Sequence, residues 1–177
     1  MFATNQRHKC VGLYISRSLL IIVVEEIVRY PVPLSELTAL RDSIGFTGTN
    51  KNLAFNLGHG LWSDLDIHQS LRWVDVITPT INTATDYGWY GLFITPNASG
   101  KKKPSQWEMS QGNRALVLFE EEMSQEVKKR GLEHLGTWNM SIQANLYDGV
   151  HMDMKGNLVK AMMVLNWLNM LPAKTRQ

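Results

Sequence analysis

The chain has 177 residues, of which 44% are apolar and 19% charged, with a formal net charge of +2. That length and composition suit a single domain with a sizeable core and exclude a disordered or fibrous chain. The near-balanced charge gives no reason for a nucleic-acid partner: the compact basic run Lys101-Lys102-Lys103 is followed at once by Pro104, as in a solvated loop.

In chain order, Cys10 comes first and is the single cysteine, so neither an intrachain disulfide nor a cysteine-built zinc site is available. VGLYI at 11–15 has the character of a short strand. The apolar run Ser18 to Val24 is too short to span a bilayer, and Arg17 before it and Glu25-Glu26 after it fit a signal peptide poorly. Residues 18–29 therefore belong to the core, as a helix or as a second apolar segment that periodicity does not resolve. Pro31-Val32-Pro33 closes this part, and Ser35 with Glu36 opens a short helix to about Ser43.

NLAFNL at 52–57, stopped by Gly58, suits a buried parallel strand. From Asp64 to about Asn82 the pattern turns helical, with Ile67, Leu71, Val74 and Ile81 on one face. GLFIT at 91–95 is the next strand, closed by Pro96-Asn97. A helix from Gly112 to about Arg130 carries Leu116, Phe119, Met123 and Val127, and Gly131 ends it as a left-handed cap. A further strand is expected from Thr137 to Gln143. A turn of Asn145, Tyr147, Asp148 and Gly149 then leads through His151 into a long apolar helix from Asp153 with Leu158, Ala161, Met162, Leu165 and Leu168. The sequons Asn97-Ala98-Ser99 and Asn139-Met140-Ser141 are weak evidence for secretion, the second falling on an expected strand.

Three strand–helix units in succession give an α/β fold: a three-layer α/β/α sandwich, flavodoxin-like, with a mainly parallel sheet. No linker divides the chain, so residues 1–177 form one domain. In such sheets ligands bind outside the carboxyl ends of the strands. Gly58-His59, Thr95-Pro96-Asn97, and Asp148 with His151 all follow expected strands and should share one rim.

An Asp-x-x-His between the last strand and last helix of such a sandwich resembles the SGNH, or GDSL-type, hydrolase clan. Within it, LAFNLGHGLW at 53–62 and Trp138-Asn139-Met140 followed by YDGVH resemble the PC-esterase branch, which includes trichome-birefringence-like proteins and the C-terminal domains of neurexophilin-and-esterase proteins. The resemblance covers about residues 50–171. It implies ester hydrolysis or acyl transfer, on O-acetyl esters of carbohydrate or a small ester, with no cofactor and a secretory-pathway setting. It also implies His151 as general base, Asp148 as its orienting carboxylate, and Gly58, His59 and Asn97 at the oxyanion and substrate.

The clan's Gly-Asp-Ser block is absent from the sequence. Ser16, after the first strand, has the right topological position for the nucleophile but neither the glycine nor the aspartate; Ser43 lies too close before the Gly58 strand. Residues 1–49 are therefore a truncated or remodelled part, or the chain is a remnant or a glycan- or protein-binding module that keeps the crevice without the nucleophile. Plainer readings stand beside these: Asp-x-x-His as a hydrogen-bonded turn, Asp148, His151 and Asp153 as metal ligands, His59 as a core histidine, and His68 on a helix surface. Trp62, Trp73, Trp138 and Trp167 fit the core better than a sugar platform, and Met162, Met163 and Met170 fit packing.

Overall fold

The computed structural model of the chain describes residues 11–15, 18–22, 27–47, 53–85 and 88–172. Strands β1 (Val11–Ile15) and β2 (Ser18–Ile22) pair antiparallel, so the segment open between helix and strand is extended here, as its leucines and isoleucines allow. Ser16 lies outside the described residues. The rest alternates: α1 (Leu34–Thr47), β3 (Leu53–Leu57), α2 (Ile67–Ala84), β4 (Trp89–Ile94), the short α3 (Glu108–Gln111), α4 (Asn113–Lys129), β5 (Glu133–Leu135), the single turn α5 (Trp138–Ser141) and α6 (Met154–Met170).

Strands β3, β4 and β5 form a parallel sheet in that order. Leu57 lies beside Phe93 in the register, and both face a core shared with Trp73, Val74, Ile77 and Ile81 of α2 and Phe119, Met123 and Val127 of α4. Ile27, Leu40 and Ile44 close the same core. Each large apolar side chain buried this way contributes roughly 1.5–3 kcal/mol. The other face of the sheet carries α6, whose Met163 and Trp167 meet Leu92 and Leu135 around a cavity of about 320 Å³. The molecule is thus an α/β sandwich built on a small parallel sheet.

Local chemistry fixes the helix starts. Asp66 caps α2 by accepting from Gln69 N at 3.0 Å, and Asp153 caps α6 by accepting from Gly156 N at 2.9 Å. Gly131, at φ +77°, ends α4 as its position in the sequence suggests.

Two expectations are corrected. The strand expected over Thr137–Gln143 is the helical turn α5, and the strand lies just upstream at Glu133–Leu135. Trp138, Met140 and Ile142 alternate with polar residues and imitate a strand, but Thr137 Oγ1 donates to Thr95 O (2.7 Å), and Ser141 Oγ donates to Thr137 O (2.6 Å) and accepts from Ala98 N (2.7 Å). Those four-apart hydroxyls are satisfied only if the backbone turns. Second, α6 is not a buried helix: Trp167 is buried, but Leu158, Met162, Leu165 and Met170 are exposed. No helix among the described residues is long and apolar enough to cross a membrane.

Candidate functional site

The segment that follows α5 closes on itself. Leu146 and Met152 form an antiparallel bridge, Tyr147 N donates to His151 O (3.1 Å), and Asp153 N donates to Asn145 O (2.9 Å). Gly149 sits at the tip with φ +89°, where a Cβ would lie 2.1 Å from Lys103 N; only glycine fits there. Inside this loop Asp148 Oδ1 accepts from the backbone N–H groups of Val150 (2.9 Å) and His151 (2.7 Å), an Asx-type turn. Its second oxygen, Oδ2, lies 2.6 Å from His151 Nδ1.

The electrostatics follow from those bonds. The His151 backbone N–H, then the His151 ring and the Val150 N–H, hold the Asp148 carboxyl far below the usual carboxylate range. An ionised carboxylate only accepts, so Nδ1 carries a proton toward Asp148, which leaves Nε2 as the ring nitrogen that can meet an incoming group. The His151 side chain is 67% exposed and that of Asp148 41%, with the Tyr147 ring stacked at 6.1 Å from the imidazole. A clamped, outward-facing imidazole of fixed tautomer is equipped to take a proton from a group that approaches it.

The loops after β3 and β4 meet this turn. Asn97 Nδ2 donates to Val150 O (3.3 Å), and Gly100 N donates to Gly149 O (3.0 Å). Gly60 abuts Pro96, since a Cβ on it would sit 3.2 Å from the Pro96 ring, and Gln111 Nε2 donates to both Leu61 O and Asp64 Oδ1 at 3.0 Å. Gly58 is exposed at the end of β3, beside Ile94 O. The loops after β3 and β4 and the turn that carries Asp148 and His151 are therefore joined to one another beyond the carboxyl ends of β3 and β4.

His59 is placed differently. Its ring is buried, stacks on Trp73 at 5.0 Å, and pairs through Nδ1 with Ser70 Oγ at 3.0 Å. Burial pushes its pKa below the ordinary 6.5. The side chain is held against α2, the core-histidine arrangement, which leaves the backbone at Gly58–His59 as what this loop offers the rim. Asp153, considered above as a metal ligand, is the cap of α6. Trp62 is 75% exposed rather than core, on a loop where Asp64 and Leu65 both take positive φ. Trp73 and Trp167 are buried, and His68 is exposed as expected.

Sequence reasoning missed the residues that hold the rim together. Thr95 Oγ1 donates to Glu120 Oε2 (2.7 Å), which also accepts from Trp138 N (3.2 Å). Asn113 grips Ser99 through both backbone groups, at 2.8 and 3.1 Å, and receives Trp138 Nε1 at 3.0 Å. Lys103, read as part of a solvated run, is buried next to the Gly149 tip; burial lowers its pKa, and Asp64 partly opposes that. Nothing local in the sequence marks these partners, because every one of them comes from another element. Comparison with protein-family models, with characterised proteins and with solved structures finds no match for the chain.

Proposed function

We propose that the chain is an ester hydrolase or acyltransferase of the SGNH type, acting on acyl esters, O-acetylated carbohydrate among them, through a Ser-His-Asp mechanism. The observation that carries this reading is the Asp148–His151 pair, 2.6 Å apart, with the ring tautomer fixed and its Nε2 turned to solvent on the rim. His151 Nε2 takes the proton of a serine hydroxyl as its oxygen attacks the ester carbonyl; the negative charge that develops on the carbonyl oxygen is met by N–H donors of the Gly58 turn. Collapse expels the alcohol, which leaves with the proton from His151 and gives an acyl-enzyme. Water or a second alcohol then reverses the sequence. Asp148 holds the imidazole and stabilises its charged form without taking the proton. Ser16 is the serine that the chain order nominates, and the exposed Trp62 and Tyr147 offer flat faces of the kind that stack on sugar rings.

The test is labelling of the folded protein with a fluorophosphonate probe, followed by peptide mapping. Such probes need a serine activated by a base and by oxyanion donors. Modification at Ser16 that disappears in His151→Ala supports the proposal. Well-folded protein that takes no label moves the reading to a crevice that binds acylated ligands without cleaving them.

A further inference from the structure

Helix α6 carries an apolar stripe on the side away from the sheet. Met154, Leu158 and Leu165 are 78%, 55% and 45% exposed; Ala161 between them is exposed, and Leu168 is half-buried. Their spacing is four, three, four, three: the seam of a two-stranded coiled coil, carried through two heptads. The opposite side, with Met163 and Trp167, already meets the sheet. A helix that is apolar all round is normally covered all round, and monomers seldom leave a continuous patch of this kind in water.

The charges on α6 select what covers it. The helix has no acidic residue, Lys155 stands exposed in its first turn, and its last turn has no basic residue. The Asp153 cap places an anion at the first turn beside Lys155, but a last turn without a cation leaves the carbonyl end uncompensated. Lys160, the other cation, is half-buried and lies off the seam. The uncompensated end is relieved by one arrangement. When a second α6 lies antiparallel across the seam, about a two-fold axis at Ala161, Met154 lies level with Leu168, Leu158 and Leu165 meet within one residue's rise of about 1.5 Å, and Ala161 opposes itself, its small side chain allowing close approach. Lys155 of each helix then reaches the last carbonyls of the other.

We propose that α6 is the self-association surface of this protein, an isologous antiparallel helix pair that makes the chain a two-fold dimer. Met154 follows His151 by three residues, so the pair borders the candidate site in each copy without drawing on the hydrolase reading.

The test is sedimentation equilibrium of the full chain with Cys10→Ser, over a range of micromolar concentrations. The expected result is a mass twice the 20.2 kDa of one chain. Leu158→Glu with Leu165→Glu, both exposed positions, should raise the dissociation constant by ~100-fold or more at unchanged helix content, because four carboxylates would meet across the seam. Met154→Cys with Leu168→Cys should cross-link two chains on oxidation, whereas Met154→Cys alone should not. A monomer at every concentration, a dimer indifferent to the two glutamates, or cross-linking by Met154→Cys alone would overturn the proposal. So would a monomer whose stripe is shielded by its own residues 1–26 or that inserts into phospholipid vesicles.

Discussion

His59 and His151 follow elements of the same fold, and both belong to the motifs that give the sequence its likeness to an esterase. The structure gives them opposite surroundings. His59 is buried, stacked on Trp73 and bonded to Ser70, so its imidazole is part of the packing of α2. His151 stands in solvent, held by one carboxylate oxygen, while the other oxygen of Asp148 pins the backbone that carries it. A histidine in a motif of this kind is thus no guide to chemistry by itself. What separates the two is whether the ring is buried and stacked in the core, or stands in solvent where an incoming group can reach it.

That contrast can be broken most sharply at the dyad. His151→Ala and Asp148→Asn are each expected to lower the second-order rate of ester hydrolysis by about 10³–10⁴-fold, with the melting temperature nearly unchanged, since both side chains are exposed. Loss of the fold in either variant would place His151 with His59 as a structural residue. Next in size, His59→Ala should cost about 2–4 kcal/mol in urea unfolding, from the lost packing on Trp73 and the lost bond to the hydroxyl of Ser70. The specific activity of the remaining folded protein should stay within a few fold; a fall as deep as that of His151→Ala would put the His59 side chain at the oxyanion after all.

Gly149→Ala tests the frame of the loop. The new Cβ would collide with Lys103 N, and the φ of +89° is costly for alanine, so a loss of about 1–3 kcal/mol is expected, together with weakened probe labelling as Asp148 shifts. The smallest effect is on pH dependence. His59 and His134 are both depressed from 6.5, in each case chiefly by burial. The unfolded chain therefore binds protons that the folded chain refuses. Their contribution is complete above pH 6.5 and is lost as the pH falls through the lowered folded values. The urea midpoint should fall as the pH drops through that window, less steeply in His59→Gln.

Much of the frame was legible. Apolar spacing located α2, α4 and α6, short apolar runs stopped by Gly58 and Pro96 located β3 and β4, and Asp148-x-x-His151 announced a local pairing because three residues across a tight turn leave the two side chains little choice. The strand at Glu133–Leu135 was hidden by its length of three residues and its charged start, while Thr137–Gln143 alternated like a strand and turned instead. Composition also misjudged Lys103, Trp62 and the outward side of α6. Burial depends on what lies across from a residue, and nothing in its own neighbourhood encodes that.

The sequence by itself determined helices α2, α4 and α6, the caps at Asp66 and Asp153, and the Asp148–His151 pair, all of which rest on periodicity or on contacts within a few residues. Tertiary structure alone decided that His59 turns inward, that Asn97 reaches Val150 across fifty-three positions, and that α6 keeps a bare apolar stripe. The reason is physical. Short-range hydrogen bonds and periodicity are written in adjacent residues, whereas which face of an element meets water is settled by packing among distant ones.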